Sequence, residues 1–326
     1  MKSNTLLFLT TLCVVLAGCG SLSVSQFDGP SSDALEVQAY RTIYQGLFDQ
    51  DKRVRSIAVE VVTATHYSRF MPRVRQLLRD PAIPVRFQAL VAVGDLRYAP
   101  AAKDVKQIYE EQKEDMNVRM AAAYALTCLE PGQYLDLCYQ QIDNKDTTIR
   151  ANAALLLGKS GNRNAVKLLY WAMSDKDSDD KVQSQALESI ALLKDNAIYQ
   201  KIWTRLISAF IDDRITGAKA MGALGTQQAA EALMTLLDDE APEVRLAAAE
   251  QLGRLGDPSG EAQVQKVLEK PVSGDPGQDI RIKVLGAMAI GEIGTENLAR
   301  FLPQLLNDPS TVVRLSTAKA VFRRRQ

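Results

Sequence analysis

Residues 244 to 257 read Val-Arg-Leu-Ala-Ala-Ala-Glu-Gln-Leu-Gly-Arg-Leu-Gly-Asp, and variants of this stretch recur along most of the 326-residue chain. With Arg245 as the reference position, equivalent positions follow one another at intervals of 31 or 33 residues, apart from one interval of 38. A period this regular indicates a stack of helical units, each of which buries its apolar faces against its neighbours. The reference positions are Arg55, Arg86, Arg119, Arg150, Gln183, Arg214, Arg245, Lys283 and Arg314.

Other columns of the repeat indicate how each unit folds. A small residue such as Ala58 or Gly217 stands three positions after every reference residue, and an apolar residue follows four positions later on the same helical face. Asp commonly precedes the reference residue, as a helix start does, and Gly often follows the apolar run, as a helix end does. We therefore predict two antiparallel helices per unit, helix A beginning near the reference position and helix B closing the unit.

The pattern Asp-Pro-x-x-x-Val-Arg-x-x-Ala-Ala-x-x-Leu-Gly-x-Leu-Gly-Asp, present at residues 239 to 257 with Glu-Ala in place of the Pro, resembles the short HEAT-like repeats of phycobilin lyases. The resemblance covers roughly residues 48 to 326. It implies an all-α fold, a right-handed α-solenoid of about eight to nine HEAT-like helix pairs. Residues 33 to 48 have the pattern of a helix B without its helix A, and we interpret them as a cap on the first unit. Residues 313 to 325 have the pattern of a helix A without its helix B.

The N-terminus predicts export and lipid attachment. An apolar run from Leu6 to Val15, too short to span a bilayer, is followed by Leu-Ala-Gly-Cys ending at Cys19. This sequence resembles the lipobox of bacterial lipoproteins, which implies a signal peptide over residues 1–18 and a lipid on Cys19; the alternative is an ordinary signal in which the Cys is incidental. Residues 19–32 would be a flexible tether and residues 33–326 the solenoid. By resemblance, Gly20 after the Cys implies the periplasmic face of the outer membrane.

Composition and the search for chemical motifs favour binding over catalysis. The chain has 39 basic and 39 acidic residues, without the basic excess expected of a nucleic-acid-binding solenoid. The one histidine, His66, is expected in an exposed turn, and neither a metal-ligand spacing nor a cofactor-binding motif is present, so we predict no metal, no cofactor and no catalytic residue. Cys138 falls in a core column and Cys128 at an exposed helix end, which leaves open whether the two pair.

A column on helix B is the candidate binding site. Four successive units place large side chains where other units have charged or polar ones, and a tryptophan in the next column adjoins them. HEAT-like solenoids usually line their concave surface with B helices, so the resemblance implies an aromatic strip in the groove. These side chains would either bind a partner or fill the seam between neighbouring B helices. The aromatic strip comprises Tyr139, Tyr170, Trp171, Trp203 and Met234.

Most reference positions hold an arginine, and we call this series the arginine ladder. It has a structural interpretation, because an Arg at the start of each helix A can bind carboxylates or carbonyl groups of adjacent loops. The predicted ladder is Arg55, Arg86, Arg119, Arg150, Arg214, Arg245 and Arg314. These features together predict a lipid-anchored, non-catalytic scaffold that binds an envelope protein or peptide in its concave groove. The alternative is a bilin-lyase-like enzyme, or a carrier of an apolar small molecule, that uses the same groove.

Overall fold

A computed structural model describes residues 34–130, 132–270 and 274–324, and these residues form helices joined by short turns, with no strand among them. None of the described helices is long and apolar enough to cross a membrane. The helices begin near the reference positions in every unit, as predicted. These A helices are α2 (Lys52–Thr65), α4 (Ile83–Asp95), α6 (Met116–Leu129), α8 (Thr147–Lys159), α10 (Asp180–Leu192), α12 (Ile211–Leu224), α14 (Pro242–Arg254), α16 (Pro276–Ile293) and α19 (Thr311–Arg323).

The B helices are antiparallel to the A helices and, apart from α1, shorter, and the last of them is split in two. They are α1 (Ala34–Leu47), α3 (Met71–Leu77), α5 (Ala102–Glu110), α7 (Asp136–Gln141), α9 (Val166–Ser174), α11 (Tyr199–Leu206), α13 (Gln227–Thr235), α15 (Glu261–Leu268), and α17 (Glu296–Ala299) with α18 (Leu302–Leu306). The all-α fold of stacked HEAT-like helix pairs is thereby confirmed.

The two helix types bury their surfaces differently. In α14, Val244 and the run from Leu246 to Ala249 are fully buried, which means that an A helix is enclosed on nearly every side. The B helix α5 buries only Val105 and Ile108 and exposes its other face. A helix enclosed on all sides belongs to an inner layer and a helix with one apolar stripe to an outer layer.

Small residues allow the A helices to lie close together. A Cβ on Gly253 of α14 would come within 2.8 Å of the backbone of Glu292 and Ile293 in α16, and a Cβ on Gly291 within 2.8 Å of the Ala320 Cα in α19. Real Cβ contacts this short do not occur, so these positions require glycine at the present helix spacing. The inner layer is therefore packed backbone against backbone.

The helical unit closes on itself. Helix α19 packs against α1 and α2, so that each A helix has an A helix on either side. Gln38 Nε2 of α1 donates to Asn307 Oδ1 at 2.9 Å and to the Leu306 carbonyl at 3.3 Å, and the Tyr67 and Phe322 rings lie 4.9 Å apart. The predicted half-units at the two ends complete one another as a ninth helix pair. The interpretation of residues 33 to 48 as an end cap is therefore wrong, because α1 is covered by the far end of the chain.

Candidate functional site

The A helices enclose a central space, which we call the lumen. It contains a cavity of about 500 Å³ near the ends of the A helices and one of about 400 Å³ deeper in the ring. Both cavities include Lys159, Arg254 and Lys319, which come from three different helices, so they are parts of one space. Every side chain that lines them comes from an A helix or from the residues that directly follow one.

The B helices therefore form the outer surface, and the predicted placement of the aromatic strip in a concave groove is wrong. The physical reason is the difference in side-chain size between the layers. An inner circle of helices has the smaller circumference and needs small residues at its contacts, which the A helices provide with alanine and glycine. The strip, on α7, α9, α11 and α13, lies on the outside of the ring.

The sequence left open whether the aromatic strip binds a partner or fills the seam between neighbouring B helices, and its five side chains differ in exposure. Trp171 and Met234 are exposed, at 43% and 42% of their surface. Tyr139, Tyr170 and Trp203 are half-buried and pack against the core, and Trp203 stacks on Tyr199 with ring centroids 6.3 Å apart. Only Trp171 and Met234 are thus available to a partner without a change in packing.

An exposed apolar loop between α11 and α12 was not identified from the sequence. Ile207, Phe210 and Ile211 expose 69%, 73% and 37% of their surface. Phe210 is the N-cap of α12 and its side chain makes no capping bond, whereas Asp51 and Asp146 cap α2 and α8 from the equivalent position. This replacement of a capping Asp by Phe is visible in the repeat alignment and was the signal that could have revealed the loop.

The arginine ladder binds the loops between units. Arg55 Nε lies 2.8 Å from Asp80 Oδ2 in the next loop, and its Nη1 donates to the carbonyl of Asp49 at 2.8 Å. Arg214 repeats this arrangement, with Nε 2.9 Å from Asp239 Oδ2 and Nη1 2.9 Å from the Ser208 carbonyl.

The other arginines of the ladder use parts of the same pattern. Arg150 and Arg86 pair with Asp175 and Glu114 at 2.8 and 2.6 Å, and the Arg150 guanidinium holds the pKa of the Asp175 carboxyl below its usual value. The remaining members bind carbonyl groups: Arg119 that of Tyr109, Arg245 that of Asp239, and Arg314 that of Asp308. The ladder therefore fixes one unit to the next.

The cavity of about 500 Å³ near the ends of the A helices, which we call the upper cavity, contains a connected set of polar groups. Asp95 pairs with Lys159 at 2.9 Å across the intervening helix α6, and it accepts a hydrogen bond of 2.5 Å from the Tyr124 hydroxyl. Burial, followed by the charge of Asp95, raises the pKa of Tyr124. Cys128 lines the same cavity, half-buried rather than exposed as predicted, and burial raises the pKa of its thiol.

Cys138 lies in the core, where burial raises the pKa of its thiol to about 12, and both cysteines are free. His66 is exposed in the turn after α2, with a left-handed φ of 52°, at the mouth of the upper cavity. Within the described residues no group of three or more His, Cys, Asp or Glu side chains could hold a metal ion. Cys19, the signal peptide over residues 1–18 and the whole of the tether over residues 19–32 lie outside the described residues.

A family model describing HEAT repeats matches residues 41–127 and 201–284, together more than half of the chain. The chain belongs to the HEAT-repeat family. No curated protein matches this HEAT-repeat protein significantly in sequence.

Solved structures with a similar fold include human deoxyhypusine hydroxylase in complex with glycerol, at 16% identity and a TM-score of 0.36, covering 90% of this chain and 97% of that one. The complex of CpcE and CpcF of phycocyanin lyase from Nostoc is 19% identical, with a TM-score of 0.44, and covers 79% and 95%. YibA of Escherichia coli is 16% identical, with a TM-score of 0.37, and covers 78% and 95%.

Proposed function

We propose that this HEAT-repeat protein is a lipid-anchored, non-catalytic scaffold on the periplasmic face of the outer membrane that binds another envelope protein. The lipid anchor rests on the Leu-Ala-Gly-Cys sequence ending at Cys19. The binding role rests on one observation, the exposed apolar loop of Ile207, Phe210 and Ile211. Trp171 and Met234 are also exposed, on the outer helices α9 and α13 to either side of α11.

The loop has the properties of a preformed docking element. Large apolar side chains left in water forgo roughly 1.5–3 kcal/mol each of burial free energy, and aromatic and Met side chains are common anchors at interfaces. Asp213 accepts hydrogen bonds from Arg205 and from the Ser208 hydroxyl, the latter at 2.7 Å, while Arg214 binds the Ser208 carbonyl. A loop held in this way loses little conformational entropy when a partner binds.

The charge beside the loop favours a protein partner over a lipid surface. Asp212 directly follows Ile211, and its side chain is 82% exposed while paired with Arg281. Because Asp212 pairs with Arg281 and Asp213 with Arg205, the border of the loop carries no net positive charge that would attract anionic headgroups. A protein partner with an apolar surface would cover the exposed side chains of the loop, and a hydrogen-bond donor or basic residue at the border of that surface would bind the exposed Asp212 carboxylate.

A photo-crosslinking amino acid at position 210 of the full-length protein in intact cells tests this function. We expect a defined crosslinked product at 210 and none at Asp238, which is exposed at the equivalent edge one unit further on. Ile207→Ser should abolish the product while the melting temperature stays unchanged. Equal crosslinking at 210 and 238, or a product unaffected by Ile207→Ser, would contradict the proposal.

The lipid anchor requires a separate test. Cys19→Ala should move the protein from the membrane fraction to the soluble fraction, because the lipid is the proposed attachment. If the variant remains in the membrane fraction to the same extent as the unmodified sequence, the lipid anchor is wrong.

The second candidate, a carrier or lyase for an apolar small molecule, is less well supported by the geometry. A chromophore in the lumen would contact mainly charged side chains, among them Lys159, Arg254 and Glu292. Visible absorbance of the purified protein is the measurement that would favour this candidate over the scaffold.

A further inference from the structure

One level of the deeper lumen combines a charged arc with apolar side chains. Seven of the nine residues that stand five positions after a reference position line the cavity at this level, and the charged ones alternate in sign from α10 round to α2. The order is Glu188, Lys219, Glu250, Met288, Lys319 and then Glu60 on α2, and Leu155 on the neighbouring α8 stands beside Glu188; all line the cavity of about 400 Å³.

Glu250 has the least satisfied charge in this set. Its side chain is almost fully buried, with 2% of the residue exposed, and its Oε2 accepts no hydrogen bond from the described residues. Burial raises its pKa, although Lys319, Lys219 and Arg254 act in the opposite direction. These cations lie near enough to influence the carboxyl group, yet none of them forms an ion pair with it. A buried carboxylate oxygen without a donor is destabilising, and the cavity beside Glu250 leaves room for a ligand that supplies one.

The cations on this level also lack protein partners. The side chains of Lys219 and Lys319 form no ion pair or hydrogen bond with any other residue between Ala34 and Arg324 that the structure describes. The charged pairs of the upper cavity differ, because Asp95 pairs with Lys159 and Glu292 with Arg323, each at 2.9 Å. Opposite charges that line one cavity without pairing are positioned for a molecule between them.

We propose that the lumen binds a small zwitterion with a free ammonium and a free carboxylate, such as an amino acid or a short peptide. The ammonium donates to Glu250 Oε2, and the carboxylate lies between Lys219 and Lys319. Leu155 and Met288 offer an apolar surface to the ligand's side chain. A zwitterion satisfies both signs of charge without adding a net charge to the lumen, whereas a simple anion or cation would meet like charges on the same arc.

The size and the access of the cavity suit this class of ligand. Small-molecule sites generally occupy about 300–1,000 Å³, and the deeper cavity falls within that range. The upper cavity connects it to the surface at His66 and Arg97, both of which are exposed in turns at the ends of A helices. A ligand would therefore enter from the edge of the ring at which the A helices end.

Calorimetric titration of the purified full chain with four probes tests the proposal. The zwitterions are L-leucine and leucyl-leucine; 3-methylbutylamine carries only the ammonium and 4-methylpentanoate only the carboxylate. We expect at least one zwitterion to bind, and each single-charge probe to bind at least tenfold more weakly. Glu250→Gln should weaken zwitterion binding at least tenfold, whereas Glu231→Gln on the exposed face of α13 should leave it unchanged.

A second variant separates the two charged groups of the ligand. Lys219→Met should weaken zwitterion binding, because the carboxylate loses a partner, but should not weaken the binding of 3-methylbutylamine, which loses only a repelling charge. Absence of binding by both zwitterions at millimolar concentration would overturn the proposal. Equal binding of 4-methylpentanoate and L-leucine would overturn it in favour of a plain anion site, and unchanged affinity in both lumen variants would show that the ligand binds elsewhere.

Discussion

Leu315→Ala tests whether the ring is closed. Leu315 lies on α19, one residue after the reference Arg, and is fully buried. A Cβ on Gly46 of α1 would lie 3.0 Å from its Cδ2 atom, so the leucine contacts the first described helix of the chain. In an open stack α19 would be the last helix, and this part of its surface would face water. Leu246 of α14 occupies the same column, is equally buried, and lies between two neighbours in either architecture.

The closed ring and the open stack predict different losses in the free energy of unfolding when Leu315 is replaced by Ala. Removal of a fully buried leucine side chain costs about 2–5 kcal/mol, and the closed ring predicts a loss in this range for both Leu315→Ala and Leu246→Ala. In an open stack Leu315 would be largely solvated, and its replacement would fall within about 0.5–1 kcal/mol, as is usual for surface positions. The comparison of two leucines in one protein removes most of the dependence on the assay conditions.

Urea unfolding of both variants measures these losses, provided that their m-values agree with that of the unmodified chain. Hydrogen exchange offers an independent measurement, because the amides of α1 and α19 should be as protected as those of α14, whereas the ends of an open stack fray. A loss below about 1 kcal/mol for Leu315→Ala, together with a loss of about 2–5 kcal/mol for Leu246→Ala, would refute the closed ring.

Three further predictions concern the packing, the ladder and the lumen. Gly253→Ala should lower the free energy of unfolding by about 1–3 kcal/mol, measured in urea, because the new Cβ would overlap the backbone at Ile293. Arg214→Ala should cost about 3–5 kcal/mol by the same measurement, since it leaves the largely buried Asp239 carboxylate with only the Ala241 amide as a donor. Glu250→Gln should raise the melting temperature at pH 7 and leave it unchanged near pH 3.5. Burial raises the folded-state pKa of this carboxyl above its unfolded value of about 4.3. The charged carboxylate therefore destabilises the folded state only as the pH rises above that value, and the substitution removes this destabilisation.

The repeat was readable from the sequence because it is local. Small residues such as Ala248, helix-starting Asp residues and the column of arginines recur in each unit, and each indicates a contact within a unit or between neighbours. The closure of the ring has a different origin. Nine units close only if each turns by about 40° relative to the last, and a small error in that angle would leave an open spiral. No single residue carries this information.

The inner position of the A helices was within reach of sequence reasoning, but the resemblance to HEAT-like solenoids pointed the other way. Helix α5 buries only Val105 and Ile108, which is the pattern of an outer helix, while α14 has three successive alanines, Ala247 to Ala249, which suit an inner helix with close neighbours. The lumen site is harder to recognise. Glu188, Lys219 and Lys319 stand in one column of the alignment, but a column becomes a ring of facing charges only after the two ends of the unit have joined.

The seam between α1 and α19 also restricts how the chain can change over evolutionary time. An open stack of repeats can gain or lose a unit at little cost, because each unit contacts only its neighbours. Here, deletion of one unit would pull the Gln38–Asn307 contact apart or force all remaining interfaces to a new angle. Insertion or deletion of a single unit therefore breaks the closed ring, whereas substitution within the existing units leaves it intact.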